Sequence, residues 1–441
     1  MPHAIEVVDR IPKARYFDAD FFRMESELLW SRVWQMACRL EEIPHPHDFV
    51  EYEILDQSVI VLRGDDGSIR AFQNACRHRG VRVVEGRGTC ENGFTCPFHG
   101  WCYGIDGINT FVSRPRTFSD HNVEPDDINL VPVRCEVWGG CAWINFDDSA
   151  PPLRQCIEPF ATIMDAWKLE SMRAEWWYAF RLPVNWKLAE EAFMEQYHVL
   201  ETHPQLRIPG RYQTGDAPFD PRLFVDSELH YLRVMNEGMA GMVHVNDVQI
   251  AEAQAGIELP ADAALARQAW DRSLNDSVVS WHRSRGHDVP DLNELEANGM
   301  NEPMGYCFPH FFVLPMYSSA SSYRFRPLGP EETLMEIWSL TRFPEGTEPA
   351  KLPQPEPWQC DDPRVPPIPT QDFSNLPRQQ RGLHARGFEY MRLSEQIEGH
   401  ISNYHRVIDG FLAGRSHAQL ASGLQAINVN PLDRGVVEID F

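Results

Sequence analysis

The sequence has no apolar run of about 18 residues or more, so no transmembrane helix is expected. Its first residues, MPHAIEVVDRIPKAR, lack the apolar core of a signal peptide, and a cytoplasmic chain is the expectation. Basic charge is scarce: 40 Lys and Arg stand against 64 Asp and Glu, a formal net charge of -24. Nucleic acid needs a basic face and an anionic membrane repels an acidic one, so neither is expected as a partner. Internal repeats are missing, and so are low-complexity tracts apart from proline-rich residues 344–369. A reducing compartment makes disulfides unnecessary for the 10 cysteines. Cys38, Cys135, Cys156, Cys307 and Cys360 read as small core residues. Cys76, Cys90, Cys96 and Cys102 crowd together, which in such a chain favours metal.

What is present suits a globular protein of two or three domains: 441 residues, 43% hydrophobic, with 13 tryptophans. Phe21, Met24 and Leu28 recur at helical spacing behind Asp18, so residues 18–36 are expected to form a capped helix. Residues 49–55, 58–62 and 69–75 read as strands, the last two joined by an Asp66-Gly67 turn; 131–138 and 141–146 follow. Polar and proline-rich residues 147–152 mark a domain boundary. Residues 153–167 are helical but split by Pro159, and 175–182 form an aromatic strand. Residues 205–245 look irregular, 248–274 helical, and 306–317, 322–328 and 334–343 form antiparallel strands. Tyr390, Leu393, Ile397, Ile401, Tyr404, Ile408 and Phe411 step by threes and fours, the apolar stripe of one long final helix.

Two stretches carry chemistry. Residues 185–204, NWKLAEEAFMEQYHVLETHP, place Glu195 three positions before His198, on one face of a helix. Pro204 ends that helix and lets His203 swing back towards His198. The two imidazoles make half a metal site, although taken alone they better suit two surface histidines at a helix end. The second stretch reads Cys76-x-His78 and, after residues 79–95, Cys96-x-x-His99. Such ligands hold zinc or an iron–sulfur cluster. A C2H2 zinc finger places both cysteines first. Here each pair is one Cys and one His, the ligand inventory of a Rieske [2Fe–2S] centre, and each loop gives one ligand to each iron.

His78-Arg79-Gly80 and His99-Gly100-Trp101-x-Tyr103 resemble the cluster loops of Rieske proteins. Together with Asn185-Trp186-Lys187 and the Glu195/His198/His203/Pro204 spacing, the chain resembles, over nearly its whole length, the catalytic α subunit of Rieske non-haem iron (ring-hydroxylating) oxygenases. The resemblance implies an α+β architecture. A Rieske antiparallel β-sandwich (41–150) would follow an N-terminal helical segment (1–40) packed on the catalytic domain. The catalytic domain (151–441) would have a helix-grip, START-like fold with a large antiparallel sheet and a long C-terminal helix. Cys76, His78, Cys96 and His99 would bind the [2Fe–2S] cluster. A mononuclear Fe(II) would take His198, His203 and, from a segment like QDFSNLPRQQRGL, Asp372, just ahead of a helix; Glu395, Glu398 and Asp409 are the competing carboxylates. Family members usually carry Asp where Glu195 stands, bridging the iron site to a cluster histidine of a neighbouring subunit in a head-to-tail trimer. Glu is found there in enzymes that oxidise quaternary ammonium compounds. Glu190 and Glu191 are read as supporting or surface groups.

The implied activity is that of a terminal oxygenase. An NAD(P)H-dependent reductase, a ferredoxin, or both would supply electrons, and O2 would hydroxylate an aromatic or polycyclic substrate. The alternative is oxidative N- or O-demethylation, for example of a quaternary ammonium or methoxyaromatic compound. A homotrimer is expected, with room for a small β subunit. Phe193, Met194, Met235, Met239, Met242, His310, Phe311 and Tyr317 are candidate pocket residues, and Arg207, Arg211 or Arg222 a candidate carboxylate clamp. Two other classes compete: a helix-grip binding protein, and a zinc-stabilised scaffold.

Overall fold

The structure, a computed structural model, describes residues 2–211, 218–239, 242–344, 347, 352–432 and 434–439. Part of the proline-rich 344–369 segment and of the 205–245 stretch lies outside the described residues. The chain divides into two compact units, residues 24–156 and residues 1–23 with 157–441. Each is an antiparallel sheet assembly, and the chain as a whole is α+β.

In the 24–156 unit, seven strands pair antiparallel in the order Gln35–Arg39, Cys141–Asn145, Pro132–Trp138, Ile69–Gln73, Gln57–Arg63, Asp48–Ile54, Arg87–Thr89. A second sheet of Phe94–Thr95, Cys102–Tyr103 and Asn109–Phe111 carries the second Cys/His loop. Phe49, Ile60, Leu62 and Phe72 pack with Phe94, Trp101 and Tyr103 in one buried cluster that takes in Cys76 and Cys96. The expected helix over 18–36 is shorter. Ala19–Glu25 is α-helical and Ser26–Trp30 is a π-helical turn, while Gln35–Arg39 is a fully buried edge strand. Residues 24–40 thus belong with this unit and only 1–23 with the other. Phe21, Met24 and Leu28 stay within these helical turns, while the residues at the expected C-terminal end, from Gln35 on, pair instead with Cys141–Asn145.

The other unit centres on a six-stranded sheet ordered Gly305–Cys307, Phe311–Met316, Ser319–Gly329, Glu332–Thr341, Arg173–Leu182, Trp358–Gln359. Only the last pairing is parallel. The first strand expected over 306–317 is divided at Phe308-Pro309, where proline cannot donate to a ladder. The helix Gly399–Leu412 lies over the sheet: Tyr404 meets Trp186, Tyr306 and Phe308, and Phe411 stacks on Phe308 at 5.7 Å. It starts later than the stripe suggested, because Tyr390–Arg392 is a strand paired with Arg10–Pro12. Within 205–245, read as irregular, residues Pro221–Gly238 form an 18-residue helix. Its start is written in the sequence: Asp220 accepts from the N–H groups of Arg222 and Leu223, and Pro221 takes the first helical position. The helix expected over 248–274 is two, Val245–Ala253 and Ala263–Arg283, parted where Gly256 and Pro260 fall.

Candidate functional site

The Cys/His loops of the 24–156 unit are built alike. In the first, Cys76 N donates to Val81 O at 2.8 Å and Gly80 N to Cys76 O at 2.8 Å. In the second, Cys96 N donates to Trp101 O at 2.8 Å and Gly100 N to Cys96 O at 3.0 Å. Both turns close through a left-handed residue, with φ of 76° at Gly80 and 72° at Gly100, a conformation open to glycine. The loops turn Cys76 and Cys96 into the core, while His78 and His99 face each other with their Nδ1 atoms 3.1 Å apart. His78 stacks on Trp101 at 5.1 Å, and the Tyr103 hydroxyl lies 3.2 Å from Cys76 Sγ while accepting the Arg77 N–H. Burial pushes the Cys76 thiol up, and hydrogen bonds from Tyr103 and the His78 backbone pull it back.

These four donors fall as two pairs. Among the described residues, the one group of three or more His, Cys, Asp or Glu side chains with ligand atoms within 4.8 Å of one another is His198, His203 and Asp372. A tetrahedral zinc needs its four ligands around one point. A cysteine pair and a histidine pair at separate points suit two irons instead, so the donor set fits a [2Fe–2S] cluster. Cys90 donates to His47 O and Cys102 to Gly100 O, and neither joins the pairs.

In the larger unit, the strand Arg173–Leu182 leads to Asn185, which caps the helix Trp186–Glu191 by accepting the Lys187 N–H at 3.1 Å. The expected continuous helix to Pro204 is absent. The chain leaves helical geometry after Glu191 and resumes it only over Val199–Thr202. A side-chain acceptor competes with the helical ladder here: Glu195 Oε2 takes the His198 N–H at 3.0 Å, and its Oε1 lies 2.5 Å from His198 Nδ1. His203 follows in a non-helical conformation before Pro204.

Asp372 lies within the helix Pro367–Leu383 rather than ahead of one. Ile368, Phe373, Leu376, Gln380 and Leu383 form that helix's buried face, and Asp372 is on it. A solvated carboxylate would occupy the opposite face, so its position asks for a partner. Asp372 Oδ1 is 3.1 Å from His203 Nε2 and 3.7 Å from His198 Nε2. Glu195 Oε1 and Gln371 Oε1 accept from the Nδ1 atoms of His198 and His203, so the neutral form of each ring presents its lone pair at Nε2. Two imidazole lone pairs and a carboxylate oxygen then face one another, an arrangement that fits a bound cation and, as two His and one carboxylate, non-haem Fe(II). Of the competing carboxylates, Glu398 accepts the Ser394 N–H and Asp409 pairs with Arg15.

A cleft of about 440 Å³ opens at Glu195, His198 and Asp372, with Leu188, Phe388, Met391 and Leu393 on its apolar walls. None of the expected pocket residues lines it. Phe193 and Phe311 pack in separate aromatic groups. Phe193 meets Phe312, Tyr323 and Phe325 at 5.2, 5.4 and 5.8 Å, whereas Phe311 packs on Phe160. Burial pushes the Tyr323 hydroxyl up, and the Asp372 carboxylate adds to it. Met194, Met235, Met239 and Met242 are buried, and His310 is buried with Nδ1 2.9 Å from Phe325 O and its pKa lowered to about 3 by desolvation. Tyr317 is half-buried, with φ of 50°. Arg207 pairs with Glu201, Arg211 with Glu228, and Arg222 is exposed.

Sequence reasoning gave Gln371 and Gln205 no role; neutral amides leave no chemical signature beyond their places beside Asp372 and His203. It also read Glu190 and Glu191 as supporting or surface groups. Both are buried: Glu191 is held by the Tyr16 hydroxyl and His405 Nε2, and its pKa is raised by burial to about 8.

No helix among the described residues is long and apolar enough to cross a membrane. Residues 33–117 match the Rieske [2Fe-2S] domain and residues 165–414 the ring hydroxylating alpha subunit (catalytic domain). The carnitine monooxygenase oxygenase subunit of Escherichia coli (strain K12) is 31% identical over 196 residues, covering 44% of this chain and 52% of that protein. The 2-aminobenzenesulfonate 2,3-dioxygenase subunit alpha of an Alcaligenes species is 32% identical over 186 residues, 42% of this chain and 47% of that protein. The chain thus spans about half the length of the curated relatives it matches. Among solved structures, a quaternary ammonium Rieske monooxygenase aligns over 92% of this chain and 96% of its own, with a TM-score of 0.60 at 18% identity. A naphthalene 1,2-dioxygenase variant bound to phenanthrene aligns over 94% and 96%, at 0.62 and 19%. The folds agree. With a [2Fe–2S] domain in one unit and, over more than half the chain, a catalytic domain of the kind that binds mononuclear iron, the protein belongs to the family of ring-hydroxylating oxygenase alpha subunits.

Proposed function

We propose that this chain is a terminal oxygenase that receives electrons from NAD(P)H through a separate reductase, a ferredoxin, or both, and uses O2 to hydroxylate a small aromatic or polycyclic substrate. The observation that carries this reading is the convergence of His198, His203 and Asp372 beside an open cleft, in a chain that also bears the paired Cys/His loops. When bound, the cluster supplies electrons singly, and the mononuclear iron, with coordination positions left open, supplies oxygen activation.

The residues have separable tasks in this reading. Cys76 and Cys96 form the thiolate pair and His78 and His99 the imidazole pair of the cluster. Tyr103 steadies Cys76 through its hydroxyl. Glu195 orients His198 and holds its ring proton on Nδ1, leaving Nε2 for the metal. Each Glu195 oxygen keeps a lone pair beyond those contacts, and the side chain lines the cleft. It therefore suits a second imidazole N–H, from a cluster histidine of a neighbouring subunit in a head-to-tail trimer. Leu188, Phe388, Met391 and Leu393 give the cleft its apolar walls, the chemistry an arene needs.

A second reading is oxidative demethylation, for example of a quaternary ammonium compound. Glu195 in place of aspartate favours it, as does the similarity to carnitine monooxygenase oxygenase subunits. One reconstitution separates the readings: the purified chain with a surrogate reductase, offered arenes, methoxyarenes and quaternary ammonium compounds, with oxygen uptake and product mass recorded. Products heavier by oxygen support the first reading, and formaldehyde release with loss of a methyl group supports the second. An iron content of only two per chain, the cluster alone, would leave the larger unit a binding domain and overturn both.

A further inference from the structure

Gln371 and Gln205 form a reciprocal amide pair. Gln205 Nε2 donates to Gln371 Oε1 at 2.8 Å, and Gln371 Nε2 donates to Gln205 Oε1 at 3.0 Å. The same Gln371 Oε1 lies 2.7 Å from His203 Nδ1. An amide oxygen can only accept, so Nδ1 carries a proton, and in the neutral ring the Nε2 lone pair faces Asp372 Oδ1, 3.1 Å away. The two histidines thus present the same nitrogen by different means. His198 is backed by the carboxylate of Glu195, three positions earlier in its own loop. His203 is backed by a neutral amide 168 positions later in the chain.

The arrangement does more than orient a ring. Gln371 immediately precedes Asp372, and Gln205 follows His203 by two residues. The amide pair therefore clasps the two segments that carry those side chains, and it needs no metal to form. Gln371 Oε1 is shared by His203 and Gln205, so the Gln205 bond keeps that oxygen from rotating away from the imidazole. His203 is 3% exposed. Without the amide oxygen, Nδ1–H would be a nearly dry donor with no acceptor there, and ring rotation or a switch of tautomer would turn the Nε2 lone pair off the ligand point.

We infer that Gln371, braced by Gln205, is the positioning residue that sets the tautomer and ring orientation of His203, and through them the affinity of the site for Fe(II). The inference rests on the proposed His198/His203/Asp372 ligand set. The test uses the full chain, stripped of mononuclear iron but retaining its cluster, titrated with Fe(II) against a competing chelator. Cluster absorption and the thermal unfolding midpoint are followed in parallel. Gln371→Leu is expected to weaken Fe(II) binding about 10–100-fold with cluster absorption unchanged and the midpoint lowered only modestly, the fold still intact at the titration temperature, while Gln371→Glu, which keeps the acceptor, stays within about threefold of the parent. Gln205→Leu falls between them.

Parent-like affinity in Gln371→Leu, or a Gln371→Glu as weak as Gln371→Leu, overturns the inference. If Gln371→Leu does not fold, Gln205→Leu carries the test, and parent-like affinity there overturns it. His203→Ala separates this failure from a deeper one: undiminished Fe(II) binding in that variant removes the ligand set itself.

Discussion

Glu195 and His198 are joined at two points: one carboxylate oxygen lies 2.5 Å from the ring Nδ1 and the other accepts the backbone N–H of the same residue at 3.0 Å. One side chain thereby takes the backbone N–H that precedes the next helical turn and aims the imidazole. Glu195→Ala is expected to keep the cluster and, at saturating Fe(II), the mononuclear iron, since neither loses a ligand, although Fe(II) affinity falls as the His198 ring loses its acceptor. Turnover driven by the reductase should fall by about 10²-fold or more. Normal turnover with an intact visible spectrum would remove Glu195 from the electron path.

Cys96 is the thiolate of the second loop, 2% exposed and next to Cys76. Cys96→Ser should abolish the visible absorption of the [2Fe–2S] cluster while Fe(II) still binds at the other centre. A purified variant with an undiminished spectrum would sink the cluster assignment. A colourless parent protein containing zinc would do the same.

Gln380 is a buried hub on the helix that carries Asp372. It accepts the Asn185 N–H at 2.9 Å and donates to Tyr16 O at 3.1 Å and to Glu331 Oε2 at 2.9 Å. Gln380→Leu removes all three bonds and strands the Asn185 N–H at the start of the helix leading to Glu195. A loss of about 2–3 kcal/mol of stability is expected, with Fe(II) affinity weakened as well. Denaturant unfolding and chelator competition check the two effects separately.

His400 is fully buried against Tyr306, and desolvation lowers its pKa to about 3. Its folded pKa lies below the ordinary value of 6.5, so its contribution to stability is complete above about pH 6.5 and is lost as the pH falls towards 3. Between pH 7 and pH 5 the expected loss from this one group is about 2 kcal/mol. His400→Leu should lose correspondingly less stability over that interval. Equal acid sensitivity in parent and variant would show that His400 is not held neutral.

The Cys/His loops were legible because each is local. Cys76 and Gly80, or Cys96 and Gly100, are close in sequence, and a turn that brings a thiolate and an imidazole to one end is written in a few residues. The strands were legible for the same reason, since alternation is a short-range pattern. Helix limits were not. The run through His198 looks helical by spacing, yet the chain leaves helical geometry after Glu191 and the His198 N–H goes to the Glu195 carboxylate instead of a helical ladder. The helix Pro221–Gly238 was hidden by glycines and methionines nearby, although Asp220-Pro221 announced its start. Asp372 came from resemblance rather than from periodicity, and the element around it was misjudged: the proline at 367 begins the helix instead of preceding it.

From composition and spacing alone follow an acidic chain without a membrane-crossing helix, two loops each offering one thiolate and one imidazole, and a histidine pair needing a third ligand. These depend on residue type and near-neighbour geometry, which the order of residues specifies directly. Tertiary structure alone decided how the donors group. It separated cysteines from histidines into two pairs, carried Asp372 to within 3.1 Å of His203 Nε2 across most of the catalytic unit, and gave His203 a neutral partner where His198 has an anionic one. Those relations arise from the packing of a buried helix face against a loop far away in sequence, and no short-range pattern encodes them.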